Sequence, residues 1–212
     1  MVLFYKYVRR DYKMPMRKVD WDRVERELDP KYVTEEGVIV TRENYSKLVE
    51  LGLIQDDKER EKAIRYNRRL LREFEKFVDG QKYREKWKSE VVSAMHFYAD
   101  ANAHSGCTLR FDDMDEEHFN YILYNRLIRK TLNMSERMML STLRSLGVFA
   151  RFLESRGIKN HKVFEEVSKQ KEKALGRIRR YNEIMEKYNR GLISDEEFSH
   201  LTYELFGYDY LE

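Results

Sequence analysis

One stretch in the second half of the chain carries arginines at a regular spacing. Arg137, Arg144 and Arg151 recur every seven residues, which places them about 10 Å apart along one side of a helix. That side faces away from the apolar Leu143 and Leu146. Guanidinium groups at this spacing suit successive phosphates of a nucleic-acid backbone. The alternative is a solvated helix face with no ligand.

Two further basic sets flank this stretch and extend the predicted phosphate-binding surface. The preceding helix contributes Arg126 and Lys130, and the following one contributes Lys169, Lys173, Arg177 and Arg180. Carboxylates three or four residues away are able to neutralise the last set by pairing along the helix; they are Glu165, Glu166, Glu172, Glu183 and Glu186. The hypothesis therefore requires cations from three consecutive helices to meet on one exterior face.

Histidines suggest metal chemistry as a second hypothesis. His96, Asp100 and His104 recur every four residues, but the first and last are about 12 Å apart along a helix, too far to share one ion. The pair Asp115 and His118 has a spacing that also occurs in carboxylate-bridged iron bundles, yet an acid in a first helical turn is favoured by capping alone. We therefore predict no metal site and no cofactor.

Composition indicates a folded protein with highly charged outer faces. Charged residues make up 37%, mean hydropathy is −0.79, and aromatics reach 13%, too many for a disordered chain. The net charge of +3 does not by itself favour nucleic acid. The single Cys107 excludes an internal disulfide, and the opening VLFYKYV is too short for a membrane span. We expect a cytoplasmic protein, and the scarcity of Gln beside Glu, Lys and Arg favours a thermophilic source.

The distribution of proline and of apolar residues predicts an all-α multi-helix bundle. Prolines occur only at positions 15 and 30, so nothing after residue 31 forbids a helix. A small hairpin is expected where TEEG separates Val33 from Val38. Caps and apolar periodicity predict helices from Thr41 to Leu51, Asp56 to Val78, Lys82 to about His104, Asp113 onward, and Ser135 to Gly157.

A long C-terminal helix is the most distinctive predicted element. Apolar positions from Phe164 to Tyr188 follow alternating steps of three and four, interrupted by Lys171. One helix over residues 161–190 would be roughly 45 Å long. It would need a long partner, either the helix of residues 56–78 or the same helix of a second copy. A short helix capped by Ser194 follows.

Residues 82–160 resemble the core-binding domain of tyrosine recombinases and phage integrases, a SAM-like N-terminal module. The matching stretches are KWKSEVVSAMHFYADA, LRFDDMDEEHFNYIL and SERMMLSTLRSLGVFARFLESRGI. The resemblance covers about a third of the chain and divides it into residues 1–80, 81–160 and 161–212. It implies a helical module that clamps double-stranded DNA.

The chain departs from that family in its catalytic signature. Recombinases require a later domain with a His-x-x-Arg motif and a tyrosine nucleophile, and neither His161 nor His200 is followed by an arginine at the third position. No catalytic residue is therefore predicted. The leading hypothesis is a non-catalytic DNA-binding protein. A helical interaction or assembly module is the alternative, and a metal-dependent enzyme ranks third.

Overall fold

The computed structural model describes residues 7–8, 20–34, 37–105, 107–130 and 134–206. Within these ranges the chain is an all-α multi-helix bundle, as predicted. The helices are α1 (Trp21–Glu27), α2 (Tyr45–Glu50), α3 (Asp57–Asp79), α4 (Glu85–Ala103), α5 (Glu116–Asn120), α6 (Leu127–Lys130), α7 (Glu136–Ser155), α8 (His161–Ser168), α9 (Lys171–Asn189) and α10 (Asp195–Phe206). A π-helical turn, Tyr121–Arg126, joins α5 to α6.

Short strands lie near the beginning of the described chain. They are β1 (Tyr7–Val8), β2 (Val33–Thr34) and β3 (Gly37–Ile39), and β3 pairs antiparallel with both of the others. The turn residues 35–36 lie outside the described ranges. Val38 of β3 is fully buried and packs with α1 and α2 through Val24, Leu28 and Leu48.

Helix α7 is the centre of the main hydrophobic core. It packs against α4, α8, α9 and α3. Its Phe149 ring lies 5.1 Å from Phe74, 5.1 Å from Phe111 and 5.2 Å from Phe164, measured between ring centroids. Such edge and tilted aromatic contacts bury large areas with defined geometry. Helix α7 is therefore held from several sides, which fixes the backbone that carries the side chains of its remaining face.

The hydrophobic core is divided into a small and a large cluster. The small one joins α1, β3 and α2, while the large one runs from Leu70 in α3 to Phe206 in α10. The large cluster contains residues from both sides of positions 80 and 160. The predicted divisions of the chain at those positions stay predictions.

Side-chain amides hold the segment between α4 and α5. Gln55 bonds both backbone groups of Thr108, donating at 2.8 Å and accepting at 2.9 Å. Asn102 does the same with Leu109 at 2.8 and 3.3 Å. Each side-chain amide thereby pairs with backbone N–H and C=O groups that no neighbouring strand is there to satisfy.

Two more amides complete this fastening. Asn67 donates to the carbonyl of Leu109 at 2.7 Å and accepts from the amide of Phe111 at 2.9 Å. Asn160 donates to the carbonyls of Phe111 and Met114 at 2.9 and 2.7 Å. The residues 107–111, here called the fastened segment, thus connect α3, α4 and the start of α8 with matched hydrogen bonds.

His118 lies fully buried beneath the fastened segment. Its Nε2 is 2.8 Å from Asn102 Oδ1, which also accepts from Leu109. Because Oδ1 only accepts, Nε2 carries the proton. Burial lowers the pKa of His118 to about 4, against a weaker opposing effect of the Asp115 carboxylate, so the ring is neutral near pH 7.

Several predicted helix ends are confirmed. Asp56 caps α3 and accepts from Lys58 N at 2.8 Å, while Ser135 caps α7 and accepts from Met138 N at 3.2 Å. Gly157 ends α7 with a φ of 69°, a conformation that favours glycine. Ser194 accepts from Glu197 N at 3.1 Å at the start of α10.

Two predicted caps were displaced along the chain. Helix α2 begins after Asn44, whose Oδ1 accepts from the amide of Thr41, the residue predicted as its cap. The cap of α5 is Asp115 and not Asp113, since Asp115 Oδ1 accepts from His118 N at 2.7 Å. In both places neighbouring polar residues offered alternative caps, and tertiary packing selects between them.

The predicted helix over residues 161–190 is wrong, because the chain breaks into α8 and α9. Gln170, with ψ of 42°, leaves the helical conformation, and Lys171 N bonds to Lys169 O. Helix α8 packs against α7 and α5, whereas α9 packs against α10, α7 and the π-helical turn. The apolar positions proposed to hold a second copy, such as Ile178 and Tyr181, are buried in the chain's own core.

Across the described residues, no helix is both long enough and apolar enough to span a bilayer.

Candidate nucleic-acid interface

Two of the three predicted arginines of α7, Arg144 and Arg151, line an open groove of about 640 Å³. Helix α7 forms its floor, and α8 and the first turn of α4 form its sides. We call it the α7–α8 groove. Its lining residues are Trp87, Arg144, Gly147, Val148, Ala150, Arg151, Glu154, His161, Glu165, Ser168 and Lys169.

A glycine lets the two helices approach closely at this floor. A Cβ atom at position 147 would lie 3.1 Å from Ser168 Oγ, which is closer than ordinary van der Waals contact. Ser168 in turn donates to the carbonyl of Glu165 at 2.7 Å. The shape of the groove therefore depends on the small side chain at position 147.

Arg144 and Arg151 are exposed in the groove. Among the described residues, no carboxylate lies within ion-pair distance of either guanidinium group. Lys169 pairs with Glu165 at 2.6 Å, and this hydrogen bond holds the pKa of Glu165 below its ordinary value. The positive charges of these two arginines are therefore not neutralised by an ion pair within the described residues. Glu154 is the other acid of the lining, besides Glu165.

A histidine on α8 also lines the groove. His161 is half-buried, and its Nδ1 donates to the carbonyl oxygen of Ile158 at 3.0 Å. This hydrogen bond fixes the orientation of the ring at the start of α8.

An aromatic ring, that of Trp87, lies at the end of the groove near α4. Trp87 lines it and packs partly against the core. The Tyr83 ring contacts the Trp87 ring at a centroid distance of 4.0 Å and an interplanar angle of 37°. Tyr83 is itself 44% exposed. Cations and an aromatic platform therefore share one surface.

Sequence reasoning did not identify Trp87, His161 or Ser168 as site residues. Trp87 lies within the helix predicted from Lys82 to about His104, and the other two come from the helix whose break was not predicted. Tyr83 and Trp87 are four residues apart, but Tyr83 precedes the first residue of α4, Glu85, so helical spacing does not explain their contact.

The predicted cations Arg126 and Arg137 are not among the residues that line the groove. Arg137 lies 3.9 Å from Glu90 and is 87% exposed. Arg126 is half-buried in the last position of the π-helical turn. The side chain of Lys130 lies outside the part that the structure describes.

The cations of α9 contact a tyrosine or a carboxylate. Lys173 and Arg177 lie over the Tyr124 ring at 4.9 and 5.5 Å from its centroid, and burial raises the pKa of Tyr124 to about 12. Arg180 pairs with Glu183 at 3.3 Å. From the predicted set, the groove contains Arg144, Arg151 and Lys169.

The histidines considered for metal binding have other contacts. His96 Nε2 lies 2.6 Å from Glu75 Oε1, and His104 Nδ1 lies 2.7 Å from the carbonyl of Asp100. Within the described ranges, no three His, Cys, Asp or Glu side chains are grouped so that they would hold a metal ion.

Comparison of the chain with protein-family models, curated proteins and solved structures finds no match.

Proposed function

We propose that the protein is a non-catalytic DNA-binding protein, similar to a stand-alone recombinase core-binding module, that contacts the phosphate backbone through the α7–α8 groove. The observation that carries the proposal is the pair of exposed arginines, Arg144 and Arg151, which face the groove without a carboxylate partner in the described chain. Arginine binds phosphate oxygens through two parallel hydrogen bonds, which gives geometry as well as charge.

The surrounding charges support a local basic surface on a nearly neutral protein. Most of the other arginines with a defined contact are matched: Arg156 pairs with Glu73 at 2.6 Å, Arg179 with Glu136 at 2.7 Å, and Arg190 with Glu186 at 2.7 Å. Pairing cancels these charges over distances longer than a few ångströms. Uncancelled charge in the groove is therefore a place where a polyanion gains from releasing its counterions.

The test is the salt dependence of binding to generic duplex DNA, measured by fluorescence anisotropy. Wild type should lose affinity steeply as salt rises from about 50 to about 200 mM. In R144E/R151E we expect affinity to fall about tenfold or more, and the slope of log K against log salt to decrease by about 2.

A matched control variant is available on α3. Arg65 and Arg72 are also exposed and also seven residues apart, so R65E/R72E makes the same charge change away from the groove. It should retain most of the affinity. An equal loss in both variants would show that overall charge, and not the groove, attracts DNA. Unchanged affinity in R144E/R151E would remove these arginines from the interface.

A helical interaction or assembly module is the second candidate function. It is favoured by the ion pairs along α9, which leave its outer face with balanced charge, and by Leu192 beyond that helix, which is 67% exposed. Such a module would show no salt-dependent DNA binding. It would instead form oligomers or complexes in light scattering at high salt, where the DNA interaction is screened.

A further inference from the structure

The size of the α7–α8 groove limits what part of a nucleic acid enters it. Its volume of about 640 Å³ falls in the range typical of small-molecule pockets. A base-paired duplex keeps its bases stacked inside the helix, so only its backbone can reach the groove. One unpaired nucleotide, with its base and flanking phosphates, fits inside.

The chemistry of the lining matches the parts of a single nucleotide. Arg144 and Arg151 supply positive charge along the floor formed by α7, and Trp87 supplies an aromatic surface at the α4 end. The Tyr83 ring contacts Trp87 at a centroid distance of 4.0 Å, tilted by 37°, and adds a second aromatic group next to that surface. Proteins that bind single strands combine these two features, a basic track for phosphates and rings for bases.

Resting on the proposed function, we propose that the preferred partner is single-stranded nucleic acid, with one unpaired base against Trp87 and its phosphates on Arg144 and Arg151. Stacking on an aromatic side chain does not depend on base identity, because every base has a π face. The site therefore recognises that a base is unpaired and does not recognise a particular base sequence.

The first experiment compares strands of equal length. Oligo(dT) and oligo(U) of about 12 nucleotides compete with a labelled duplex of the same length for the wild-type protein. At least one single strand should bind about tenfold or more tightly than the duplex, and the tighter of the two identifies DNA or RNA as the natural class. Equal or tighter duplex binding overturns the inference.

The second experiment follows the tryptophan itself. The chain has two tryptophans, Trp21 and Trp87, so W21F leaves Trp87 as the only indole reporter. Adding oligo(dT) or oligo(U) should quench its fluorescence in a saturable way with the same midpoint as binding. Saturable binding without a change in Trp87 emission would show that the base lies elsewhere.

A pair of substitutions distinguishes stacking from folding. W87F keeps a ring and W87L keeps only apolar volume; both are smaller than Trp but remain apolar where the side chain packs against the core, and a urea midpoint for each variant shows that the fold is kept. W87L should weaken single-strand binding about tenfold, within the range of one lost stacking contact, and W87F should restore most of it. Duplex affinity should be the same in both. Equal single-strand affinity for W87F, W87L and wild type would exclude stacking at this site.

The outcomes also distinguish this inference from the proposed function on which it rests. If neither duplex nor single strand binds, or if R144E/R151E binds both as wild type does, the proposed function fails. If the arginine variant loses duplex binding while W87L changes nothing and single strands show no preference, the proposed function stands and the single-strand inference fails.

Discussion

The fastened segment and the α7–α8 groove treat their polar groups in opposite ways. In the fastened segment, backbone groups of Thr108, Leu109 and Phe111 are matched by amides from three other parts of the chain. In the groove, Arg144 and Arg151 have no carboxylate partner among the described residues. The two regions are connected through Phe149 of α7, which touches Phe111.

This difference distinguishes the polar groups that stabilise the fold from those that face solvent. A buried amide left without a partner is costly, so a matched network determines one conformation of the chain. An exposed guanidinium group without a partner costs little, because water solvates it. Unmatched charge on a rigid floor is therefore what a binding surface requires, and it appears on the helix that the core holds most firmly.

The largest expected effect comes from breaking the fastened segment. Asn102 is fully buried and bonds both backbone groups of Leu109 and the ring of His118. N102L keeps the branched shape but leaves the amide of Leu109 and the His118 ring N–H unpaired, while the Leu109 carbonyl retains its bond from Asn67, so we expect a loss of about 4 kcal/mol in the free energy of unfolding. Urea denaturation followed by circular dichroism measures it.

A half-buried asparagine provides the control for that prediction. Asn120 accepts one bond from the exposed Lys173 at 2.9 Å, and N120L should cost less than about 1 kcal/mol. If N102L were no more destabilising than N120L, the amide bonds would not be what holds the segment.

The next effect is a pH dependence from the same region. His118 has a pKa of about 4 in the folded protein against 6.5 for the exposed ring. Above pH 6.5 neither state binds the proton and stability is complete. Between pH 6.5 and 4 only the unfolded state takes it up, so folding stability should fall by up to roughly 3 kcal/mol.

Replacing the ring tests this directly. H118Q keeps an N–H donor for Asn102 but does not titrate, so the difference in stability between it and wild type should shrink as the pH falls from 6.5 to 4. His200 is 70% exposed near Glu204, and H200Q should retain the wild-type slope. A slope that survives in H118Q would assign the acid sensitivity to other groups.

The comparison also explains how far the sequence predicted the structure. Caps and apolar spacing predicted α3 and α7 well, because Asp56, Ser135 and Gly157 act on their own helix. The break at Gln170 was missed, since its side chain bonds to Tyr124 and lies near Glu116, which are distant in sequence. Local signals predict local structure, and this turn depends on tertiary contacts.

The π-helical turn was missed for a related reason. Five consecutive residues, 121–125, are buried, whereas an α-helix of 3.6 residues per turn would expose part of that run. In the site, the seven-residue spacing placed Arg144 and Arg151 on the same side of α7, and both line the floor of the groove. Trp87 and His161 join them only through the packing of α4 and α8 on α7, which no periodicity reveals.

The smallest expected effect is on the stability of the groove itself. Because Arg144 and Arg151 have no ion pair within the described chain, R144Q/R151Q should change the free energy of unfolding by less than about 0.5 kcal/mol. Arg156, at the end of the same helix, pairs with the half-buried Glu73 at 2.6 Å, and R156Q should cost more, up to about 1 kcal/mol. Urea midpoints of the three proteins rank them. A larger loss in the double variant would mean that these arginines stabilise the fold, and their charge would then need no ligand to explain it.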